Sequence, residues 1–297
     1  MNGNEVMQLR SFMFLPAHNR KFIEKAVQSD ADALILDVED SVPPGMRAEA
    51  RESIILAEQE GLLQGKRVFV RINPIGTKDF ADDIFSLALE SIDGFMPSKI
   101  DCAEDILFLD RLLETVELRK SMPLGKFRLA PLIETAKAIL NVDEIAQARS
   151  RLVAMCFGGE DYLNDIGCID VYQESAFVYP RARIINAARA AGILPVDTPY
   201  LDIGNLSDFG RAAREAYANG FAGVLLINPK QIEVANQSFS PTAEKIAAAK
   251  EIVQAIEKAK NTGQGVVILD NGRMAGPPMQ KRAVTILRQM EGVQTTD

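Results

Sequence analysis

Histidine and cysteine, which carry much of the metal and nucleophile chemistry of enzymes, are scarce in this chain of 297 residues. Its one histidine, His18, would have to be the centre of any catalytic triad or histidine-based metal site. The three cysteines, Cys102, Cys156 and Cys168, include no CxxC pair, so neither a thiolate zinc site nor a disulfide framework is supported. Chemistry based on carboxylates and hard cations is therefore the default expectation.

Long apolar runs and an excess of basic charge are lacking as well. No window approaches about 18 consecutive apolar residues, and the first residues lack both the basic and the apolar region of a signal peptide. The net charge of -8 argues against a general nucleic-acid-binding surface, although it permits local basic pockets. With 47% hydrophobic and 25% charged residues, the composition is typical of a globular protein. We expect a cytoplasmic protein that binds neither membranes nor nucleic acids.

Eight apolar, β-branched runs recur along the chain with room for a helix between successive runs. Most are continuously apolar, as expected of parallel strands that are covered on both faces. Segments such as 105–113 and 181–191 have the periodicity of helices. The eight predicted strands lie at 12–16, 33–37, 68–73, 94–97, 127–133, 152–157, 193–196 and 222–227. This alternation predicts an α/β protein with the (β/α)8 TIM barrel fold.

A C-terminal helical extension follows the predicted barrel. Ser240-Pro241 resembles a helix N-cap followed by proline at the first helical position. The apolar segment 266–269 and a final helix predicted from about Pro278 also belong to this extension. We therefore predict a barrel with the catalytic mouth at 10–235, and an extension at 236–297 that serves oligomerisation and caps the active site.

Charged side chains follow five of the predicted strands in succession. They stand at the carboxyl ends of the strands, where barrel enzymes carry their active sites. One such charge would be an ordinary loop residue, but five together predict a site. The segments are Asp37-Val38-Glu39-Asp40, Arg71-Ile72-Asn73, Ser98-Lys99, Glu134-Thr135 and Gly158-Gly159-Glu160-Asp161.

The carboxylates at this mouth predict a divalent metal ion. Four to six carboxylates would repel one another without a cation among them, and oxygen ligands without histidine suit Mg²⁺, with Mn²⁺ as the alternative. Glu134 and Asp161 come from adjacent strands and are the predicted ligand pair, although Asp161 also suits the role of a helix cap. Gly158-Gly159 allows the backbone and the substrate to approach closely.

Arg71 is the predicted partner of the substrate. Its planar, permanently protonated guanidinium suits a substrate carboxylate or a developing oxyanion. A buried salt bridge to Asp37 or Glu39 is the structural alternative, and the two roles are compatible. Lys99 is included in the predicted catalytic set, but no apolar surroundings are evident that would lower its pKa for a Schiff base.

Seven motifs of the chain together resemble a known family. They are RSFMFLP (10–16), LDVEDSV (36–42), VRIN (70–73), PSK (97–99), PLIET (131–135), FGGED (157–161) and INPKQI (227–232). Their order is that of the citrate lyase beta subunit-like branch of the HpcH/HpaI aldolase superfamily, which the chain resembles from about residue 10 to residue 282.

The resemblance implies a (β/α)8 barrel, a divalent metal and the cleavage or formation of a carbon–carbon bond beside a thioester, usually of coenzyme A. It implies that Glu134 and Asp161 hold Mg²⁺ and that Arg71 contacts the substrate oxygens. By the same resemblance, Asp37, Glu39 and Asp40 shape the surroundings of the metal and belong to the catalytic set. Relatives in this family commonly form trimers and lend the C-terminal segment to a neighbouring active site, so a homo-oligomer, preferably a trimer, is expected.

Two positions depart from the family pattern. The motif after the eighth strand normally carries histidine before its proline, and here that residue is Asn228, which cannot titrate near neutral pH. In the malyl-CoA lyases and malate synthases, an aspartate stands two residues after the methionine of a Gly-x-Met motif, and here that residue is Gly276. The acid/base that deprotonates an acetyl-thioester is then missing, with Asp270 as a weak substitute. Condensation in the malate synthase direction is therefore not expected.

The basic segment His18-Asn19-Arg20-Lys21 directly follows the first predicted strand. Its place at the mouth suits the phosphates of coenzyme A, so Arg20 and Lys21 are the predicted coenzyme-binding residues. A solvated helix start is the alternative.

The lead hypothesis is an enzyme, a Mg²⁺-dependent carbon–carbon lyase. It would cleave a 3-hydroxyacyl thioester of the citryl-, citramalyl- or malyl-CoA kind to a 2-keto acid and an acyl thioester. The alternatives are a metal-dependent aldolase of free hydroxy-keto acids, an acyl-CoA thioesterase, and a non-catalytic subunit that binds a CoA ester.

Overall fold

All eight predicted strands occur in the computed structural model, which describes residues 9–148, 151–169, 174–261, 265–269 and 272–291. Their bounds agree with the prediction to within two residues, and the fifth is divided into two short strands. The strands are β1 (Ser11–Pro16), β2 (Ala33–Asp37), β3 (Val68–Ile72), β4 (Gly94–Pro97), β5 (Arg128–Leu129), β6 (Leu132–Ile133), β7 (Ala154–Phe157), β8 (Leu194–Asp197) and β9 (Gly223–Leu226).

These nine strands form one parallel sheet in the order β5-β4-β3-β2-β1-β9-β8-β7-β6. The sheet closes because β5 and β6 belong to one continuous segment. On one side Ala130 N–H donates to Phe95 O at 3.0 Å, and on the other Leu129 forms a parallel bridge with Leu152. The predicted TIM barrel is confirmed, with eight staves and the fifth made of β5 and β6.

Proline causes the break in the fifth stave. Pro131 has no N–H to donate to a ladder, so regular pairing stops around it. Its carbonyl still accepts a hydrogen bond from Cys156 N–H at 3.0 Å, which ties the segment to β7. All residues of β2, β4, β7 and β9 are buried, as predicted from their continuously apolar sequences.

Helices follow the strands along the chain. Two 3₁₀ turns occur at Pro44–Met46 and Glu174–Phe177. The helices that accompany the barrel are α1 (Arg20–Ala26), α2 (Arg47–Gln59), α3 (Lys78–Leu87), α4 (Ala103–Arg119), α5 (Ala136–Leu140), α6 (Val142–Gln147), α7 (Gly159–Asp165), α8 (Val178–Ala191), α9 (Leu206–Asn219) and α10 (Gln231–Ser238). The helices predicted around 105–113 and 181–191 correspond to α4 and α8.

The chain divides into two compact units, residues 9–237 with the barrel and a second unit that includes residues 238–297. The second unit contains α11 (Ala243–Asn261), β10 (Val267–Ile268), β11 (Met274–Ala275) and α12 (Pro277–Glu291). β10 and β11 pair antiparallel. The roles predicted for the extension, oligomerisation and capping of the site, stay predictions.

The start of α11 corrects one detail of the sequence analysis. The helix begins at Ala243, and Thr242 accepts the N–H of Lys245 through its Oγ1 at 3.3 Å. The cap is therefore Thr242, two residues after the predicted Ser240. None of the helices in the described part of the chain has both the length and the apolar character that a membrane crossing requires. The cytoplasmic location stays a prediction.

Candidate active site

The carboxyl ends of the parallel strands meet at one face of the barrel, and this face carries the predicted site residues. Asp37 is the last residue of β2, and Arg71 lies beside it in β3. Lys99 follows β4, and Glu134 directly follows β6. Asp161 lies in the first turn of α7, directly after β7. The residues come from consecutive staves, which explains how segments far apart in sequence form one site.

The Arg71 guanidinium is held by the carboxylates that follow β2. Its Nε donates to Asp37 Oδ1 at 2.8 Å, and its Nη2 forms a close ion pair with Asp37 Oδ2. Its Nη1 lies 3.6 Å from Glu39 Oε2. The Cζ atom also lies 4.7 Å from the centre of the Phe14 ring, a cation–π contact. The predicted salt bridge of Arg71 is confirmed, and its contact with a substrate stays a prediction.

Asp37 is an orienting group, because both of its carboxylate oxygens are occupied. Beyond the Arg71 contacts, Oδ1 accepts the N–H of Glu39 and Oδ2 accepts the N–H of Ser41, each at 2.9 Å. Burial by itself would raise the pKa of Asp37, but the hydrogen bonds and the charge of Arg71 outweigh burial and lower it. Burial likewise opposes the charge of Arg71, yet its pKa is raised by the bonds to Asp37. Both groups are ionised over the physiological pH range.

Glu39 differs from Asp37 in its ionisation. Burial, the largest cause, raises the pKa of Glu39 to about 7. The charge of Arg71 opposes this rise, whereas those of Asp37, Asp40 and Glu134 add to it. Glu39 is therefore a carboxyl group that can exchange a proton near neutral pH. Asp40 is exposed beside it and contributes through its charge.

Lys99 links the two predicted metal ligands. Its backbone N–H donates to Glu134 Oε1 at 2.8 Å, and its Nζ lies 3.6 Å from the same oxygen. The Nζ also forms a close ion pair with Asp161 Oδ1. Burial would lower the pKa of Lys99, but the hydrogen bond of Asp161 and the charge of Glu134 raise it. The two carboxylates thus converge on one cation.

The backbone of Lys99 is itself unusual. Its φ is +53°, in the left-handed region that residues other than glycine seldom occupy. This conformation turns the N–H of Lys99 towards Glu134 while the side chain reaches Asp161. Strained backbone of this kind is typical of functional sites.

Gly158 makes room for Glu134. A Cβ atom at position 158 would lie 2.6 Å from both the Cβ and the Oε2 of Glu134. The backbone of Gly158 is fixed there by donation of its N–H to Ile133 O at 3.1 Å. Glu134 is buried, and burial raises its pKa even though Lys99 opposes that effect. The space left by this glycine is taken by Glu134, whereas the predicted close approach of a substrate stays a prediction.

The charge balance of the mouth fits an additional cation. Within the described residues no three histidine, cysteine, aspartate or glutamate side chains are already grouped as metal ligands. Glu134 and Asp161 offer carboxylate oxygens, which are the ligand atoms that Mg²⁺ prefers. The Lys99 ammonium already contacts both carboxylates, so positive charge is favoured at this position. Around Arg71 and Lys99 the carboxylates outnumber the cations, since Asp37, Glu39, Asp40, Glu134 and Asp161 lie close to these two groups.

The predicted coenzyme-binding residues lie at the start of α1. The Nε of Arg20 lies 3.2 Å from Glu24 Oε1, and its Nη2 forms a close ion pair with Glu60. Lys21 is exposed. The Nδ1 atom of His18 is buried and has no hydrogen-bond partner among the described residues. Arg20 is thus already paired with carboxylates, and coenzyme binding by Arg20 and Lys21 stays a prediction.

Asn228 closes the turn that leads into α10. Its Oδ1 accepts the N–H of Lys230 at 3.0 Å, and its own N–H donates to Gln231 Oε1 at 3.2 Å. This is a structural role that does not involve proton transfer. Gly276 directly precedes α12, and a Cβ there would meet only Val266 Cγ2, at 3.7 Å. Asp270, the proposed substitute acid/base, lies outside the described residues.

Polar residues at the end of β8 also lie at this face and were not predicted from the sequence. Asp197 is buried and accepts a hydrogen bond from Arg181 Nε at 3.0 Å, and the Arg181 guanidinium lies over the ring of Phe177, 5.1 Å from its centre. Thr198 accepts the N–H of Gly159 at 3.0 Å and ties the end of β8 to the start of α7, the helix that carries Asp161. The rule that identified the other strands, a polar residue after an apolar run, applies to Asp197 as well.

Comparison with known proteins places this geometry in a family. The family model described as HpcH/HpaI aldolase/citrate lyase matches residues 10–229. The citrate lyase subunit beta of Leuconostoc mesenteroides subsp. cremoris is 32% identical over 279 residues, which cover 94% of this chain and 92% of that protein. The L-malyl-CoA/beta-methylmalyl-CoA lyase of Rhodobacter capsulatus is 34% identical over 302 aligned positions, covering 95% of this chain and 94% of that protein.

Solved structures show the same relationship. The crystal structure of the protein CitE from Mycobacterium tuberculosis, in complex with magnesium, acetoacetate and coenzyme A, superposes with a TM-score of 0.77 at 29% sequence identity. The match covers 94% of this chain and 97% of that one. The likeness therefore extends over nearly the whole of both chains.

Proposed function

This chain belongs to the HpcH/HpaI aldolase/citrate lyase family, and from that membership we propose that it is a Mg²⁺-dependent carbon–carbon lyase. Its substrate would be a 3-hydroxyacyl thioester of the citryl-, citramalyl- or malyl-CoA kind, and its products a 2-keto acid and an acyl thioester. Relatives named as citrate lyase subunit beta and as malyl-CoA lyase support this class of reaction. The neighbour crystallised with magnesium, acetoacetate and coenzyme A supports the metal and the coenzyme.

The observation that carries the proposal is the convergence of Glu134 and Asp161 on the Lys99 ammonium. Glu134 and Asp161 would hold the metal, with Lys99 close by. Bound Mg²⁺ would act as a Lewis acid towards a hydroxyl and a carboxylate oxygen of the substrate. The buried position of Glu134 and its raised pKa support this assignment, because both indicate a carboxylate that gains from a nearby cation.

Arg71 would offset the negative charge that develops as the carbon–carbon bond breaks. Its orientation is already fixed by Asp37 and Glu39, so little reorganisation accompanies the reaction. Because the Asp37 carboxylate is engaged in four hydrogen bonds, it orients Arg71 and takes no part in proton transfer.

Glu39 is the carboxyl group that we assign to proton transfer, since its pKa of about 7 suits an acceptor near neutral pH. The proton of the substrate hydroxyl passes to Glu39 while the adjacent carbon–carbon bond breaks. The bonding electrons then form the enolate of the acyl thioester, and the former hydroxyl carbon becomes the carbonyl of the keto acid. Return of that proton from Glu39 to the enolate carbon completes the acyl thioester and restores the Glu39 carboxylate, so no net proton is consumed or released.

The direct test is to incubate the protein with citryl-, citramalyl- and malyl-CoA and to measure the release of an acyl-CoA and a keto acid. We expect activity with Mg²⁺, loss of activity in EDTA, and a fall in kcat/KM of at least about 10²-fold in Glu134→Gln. Glu52→Gln, on the exposed face of α2, is the matched control and should retain full activity. Activity that is indifferent to EDTA and to Glu134→Gln would contradict the proposal.

A second candidate rests on Gly276, where the family's lyases of the malyl-CoA kind carry an aspartate. A site that lacks this group suits an aldolase of free hydroxy-keto acids or a thioesterase. Isothermal titration with acetyl-CoA, and separately with oxaloacetate, distinguishes these candidate functions. If only oxaloacetate binds, the aldolase of free acids replaces the lyase; if both bind without turnover, a binding subunit remains.

We also propose that the protein is a homotrimer in which the C-terminal unit of one copy reaches the active-site mouth of the next. Support comes from the resemblance to the family and from the apolar side chains that the β10–β11 hairpin exposes, Val266, Ile268 and Met274.

A further inference from the structure

Asn73 lies two residues after Arg71, is almost fully buried, and has no part in the proposed reaction. Its Nδ2 donates to Val38 O at 3.1 Å and to Asp83 Oδ2 at 2.8 Å. Its backbone N–H also donates to Asp83 Oδ2, at 2.9 Å. Both partners of the amide are acceptors, so only one orientation of the Asn73 side chain satisfies them.

Asp83 connects Asn73 to the layer of helices. It lies in α3 with no exposed surface, and its second oxygen, Oδ1, accepts a hydrogen bond from Arg51 Nη1 of α2 at 2.8 Å. Arg51 also reaches Asp79, at 3.4 Å. The carboxylate of Asp83 is therefore anchored on the helix side and presents its other oxygen to Asn73.

The segment that Asn73 holds is the one that carries the partners of Arg71. Val38 stands between Asp37 and Glu39, and its N–H donates to Arg71 O at 3.1 Å. Regular pairing of β2 with β3 ends at Asp37 and Arg71. The Asn73 side chain adds one further hydrogen bond beyond that point, so the peptide units on both sides of Val38 are tied to β3 and its following residues.

The arrangement is not the one that stability alone would favour. Asn73 Oδ1 is buried without a hydrogen-bond partner among the described residues, and a buried unpaired acceptor costs free energy. A polar side chain retained in such a place serves the groups that it orients. Here those groups are the two carboxylates that hold Arg71.

We propose that Asn73 and Asp83 are positioning residues, which set the geometry of Glu39 and Arg71 through the hydrogen bond to Val38 O. The catalytic part of this inference rests on the proposed lyase function, whereas the control of the 37–41 segment does not. The best variant is Asn73→Asp, because it keeps the shape but places a carboxylate against two acceptors, Val38 O and Asp83.

Glu117 provides a matched control at the opposite end of the barrel. It is also fully buried, pairs with Arg151 at 2.6 Å, and accepts the N–H of Gly125 and Phe127 at 2.9 and 3.0 Å. Glu117→Gln should therefore lower the thermal midpoint as Asn73→Asp does, but it touches no residue of the mouth.

The experiment combines hydrogen exchange of residues 37–41 with steady-state kinetics on the full-length protein. We expect exchange of this segment to quicken at least about tenfold in Asn73→Asp and to stay unchanged in Glu117→Gln. We also expect kcat to fall at least about tenfold in Asn73→Asp with KM changed by less than about threefold, since positioning acts on the transition state. If Asn73→Asp does not fold, Asn73→Ala is measured by the same criteria.

The outcomes of this experiment test the positioning role of Asn73 separately from the proposed lyase function. Exchange of 37–41 that responds equally to Asn73→Asp and Glu117→Gln overturns the positioning role, and so does an unchanged kcat in an active enzyme. If the wild-type protein cleaves no thioester but exchange quickens only in Asn73→Asp, the lyase function fails while the control of the segment stands.

Discussion

At the scale of single residues, Glu39 makes the stability of the protein depend on pH. Its pKa in the folded protein is about 7, above the ordinary value of 4.5. The stability that protonated Glu39 contributes is complete below pH 4.5 and is lost as the pH rises through 7. Glu39→Gln keeps the neutral form at every pH, so in EDTA it should raise the thermal midpoint at pH 8 by a few degrees and have little effect at pH 4.

The measurement is differential scanning calorimetry of wild type and Glu39→Gln at the two pH values. Glu52→Gln on the exposed face of α2 controls for the change of net charge. Stabilisation by Glu39→Gln of equal size at pH 4 and pH 8 would show that charge burial is not its cause.

Arg71 depends on its shape as well as its charge. The guanidinium contacts Asp37 through two nitrogens and Glu39 through the third, and an ammonium cannot reproduce this fork. We expect Arg71→Lys to lower kcat/KM on the order of 10²-fold, equivalent to ~2.7 kcal/mol. Arg111→Lys, on an exposed arginine of α4 paired with Glu114, should leave the kinetics unchanged. Full activity of Arg71→Lys would remove Arg71 from the proposed mechanism.

Residues at strand ends were predictable from the sequence, and their partners in other elements were not. Arg71 and Glu134 follow from one rule, that a charge after an apolar run lies at the mouth of a barrel. Asp83 obeys no such rule, because a polar residue within a helix is ordinarily solvent-exposed and nothing local indicates its burial against Asn73. The left-handed backbone of Lys99 has no sequence signal either, since lysine does not favour that conformation.

At the scale of elements, the end of β7 depends on Gly158. A methyl group there would lie 2.6 Å from Glu134 Cβ. Because Glu134 is buried, it cannot move away without displacing its own neighbours. We expect Gly158→Ala to destabilise the protein by about 1–3 kcal/mol and to lower kcat/KM about 10²-fold by displacing Glu134, the proposed metal ligand. Urea unfolding and steady-state kinetics measure the two effects.

Gly45 supplies the control, because a Cβ atom at that position meets nothing within 4 Å. Gly45→Ala should therefore change neither stability nor activity appreciably. If Gly158→Ala behaves like Gly45→Ala, the approach of β7 to Glu134 is not required for function.

The strands were predictable because burial on both faces leaves a continuous apolar run in the sequence. This run can be recognised without knowing which strands pair with one another. Breaks within a strand were not predictable in the same way. Pro131 was visible in the sequence, but its effect depends on which of its neighbours needed an N–H, and that is a property of the closed sheet. The cap of α11 was misplaced by two residues because serine and threonine can both cap a helix, and only the path of the chain decides between Ser240 and Thr242.

At the scale of the whole molecule, the two ends of the barrel have different tasks. The end opposite the mouth buries Arg151 between Glu117 and Asp110, and both oxygens of the Glu117 carboxylate accept hydrogen bonds there. The mouth instead carries more carboxylates than cations. The proposed chemistry, which needs an added cation, is thus assigned to the mouth, whereas the ion pairs at the opposite end have a structural role.

The C-terminal unit refines the expectation about assembly. Oligomerisation was predicted for the extension as a whole, and in the structure Met279 of α12 packs within its own unit, beside Ile256, Leu269 and Ala275. The apolar side chains left exposed are instead on the hairpin, where Ile268 pairs with Met274 and the two are 75% and 69% exposed. We therefore expect the outward face of the hairpin to form the contact between copies.

This expectation gives two tests of the proposed trimer. Truncation after Lys260 removes the hairpin and α12, and should abolish both assembly and activity, but it also uncovers Ile256 of the unit's own cluster. The double variant Ile268→Asp, Met274→Asp avoids that side effect, because the neighbouring pair Val267 and Ala275 faces the cluster and stays in place.

Light scattering after size exclusion should report a trimer for the wild type and a monomer for the double variant, with activity lost in the monomer. Leu118→Asp, which replaces a 65% exposed leucine on α4, should remain trimeric and active, because it lies outside the proposed contact. A double variant that keeps its mass and its activity would show that the hairpin face is not the contact. A double variant that becomes monomeric but stays fully active would show that each barrel completes its own site, and the proposed sharing of the C-terminal unit between copies would then be wrong.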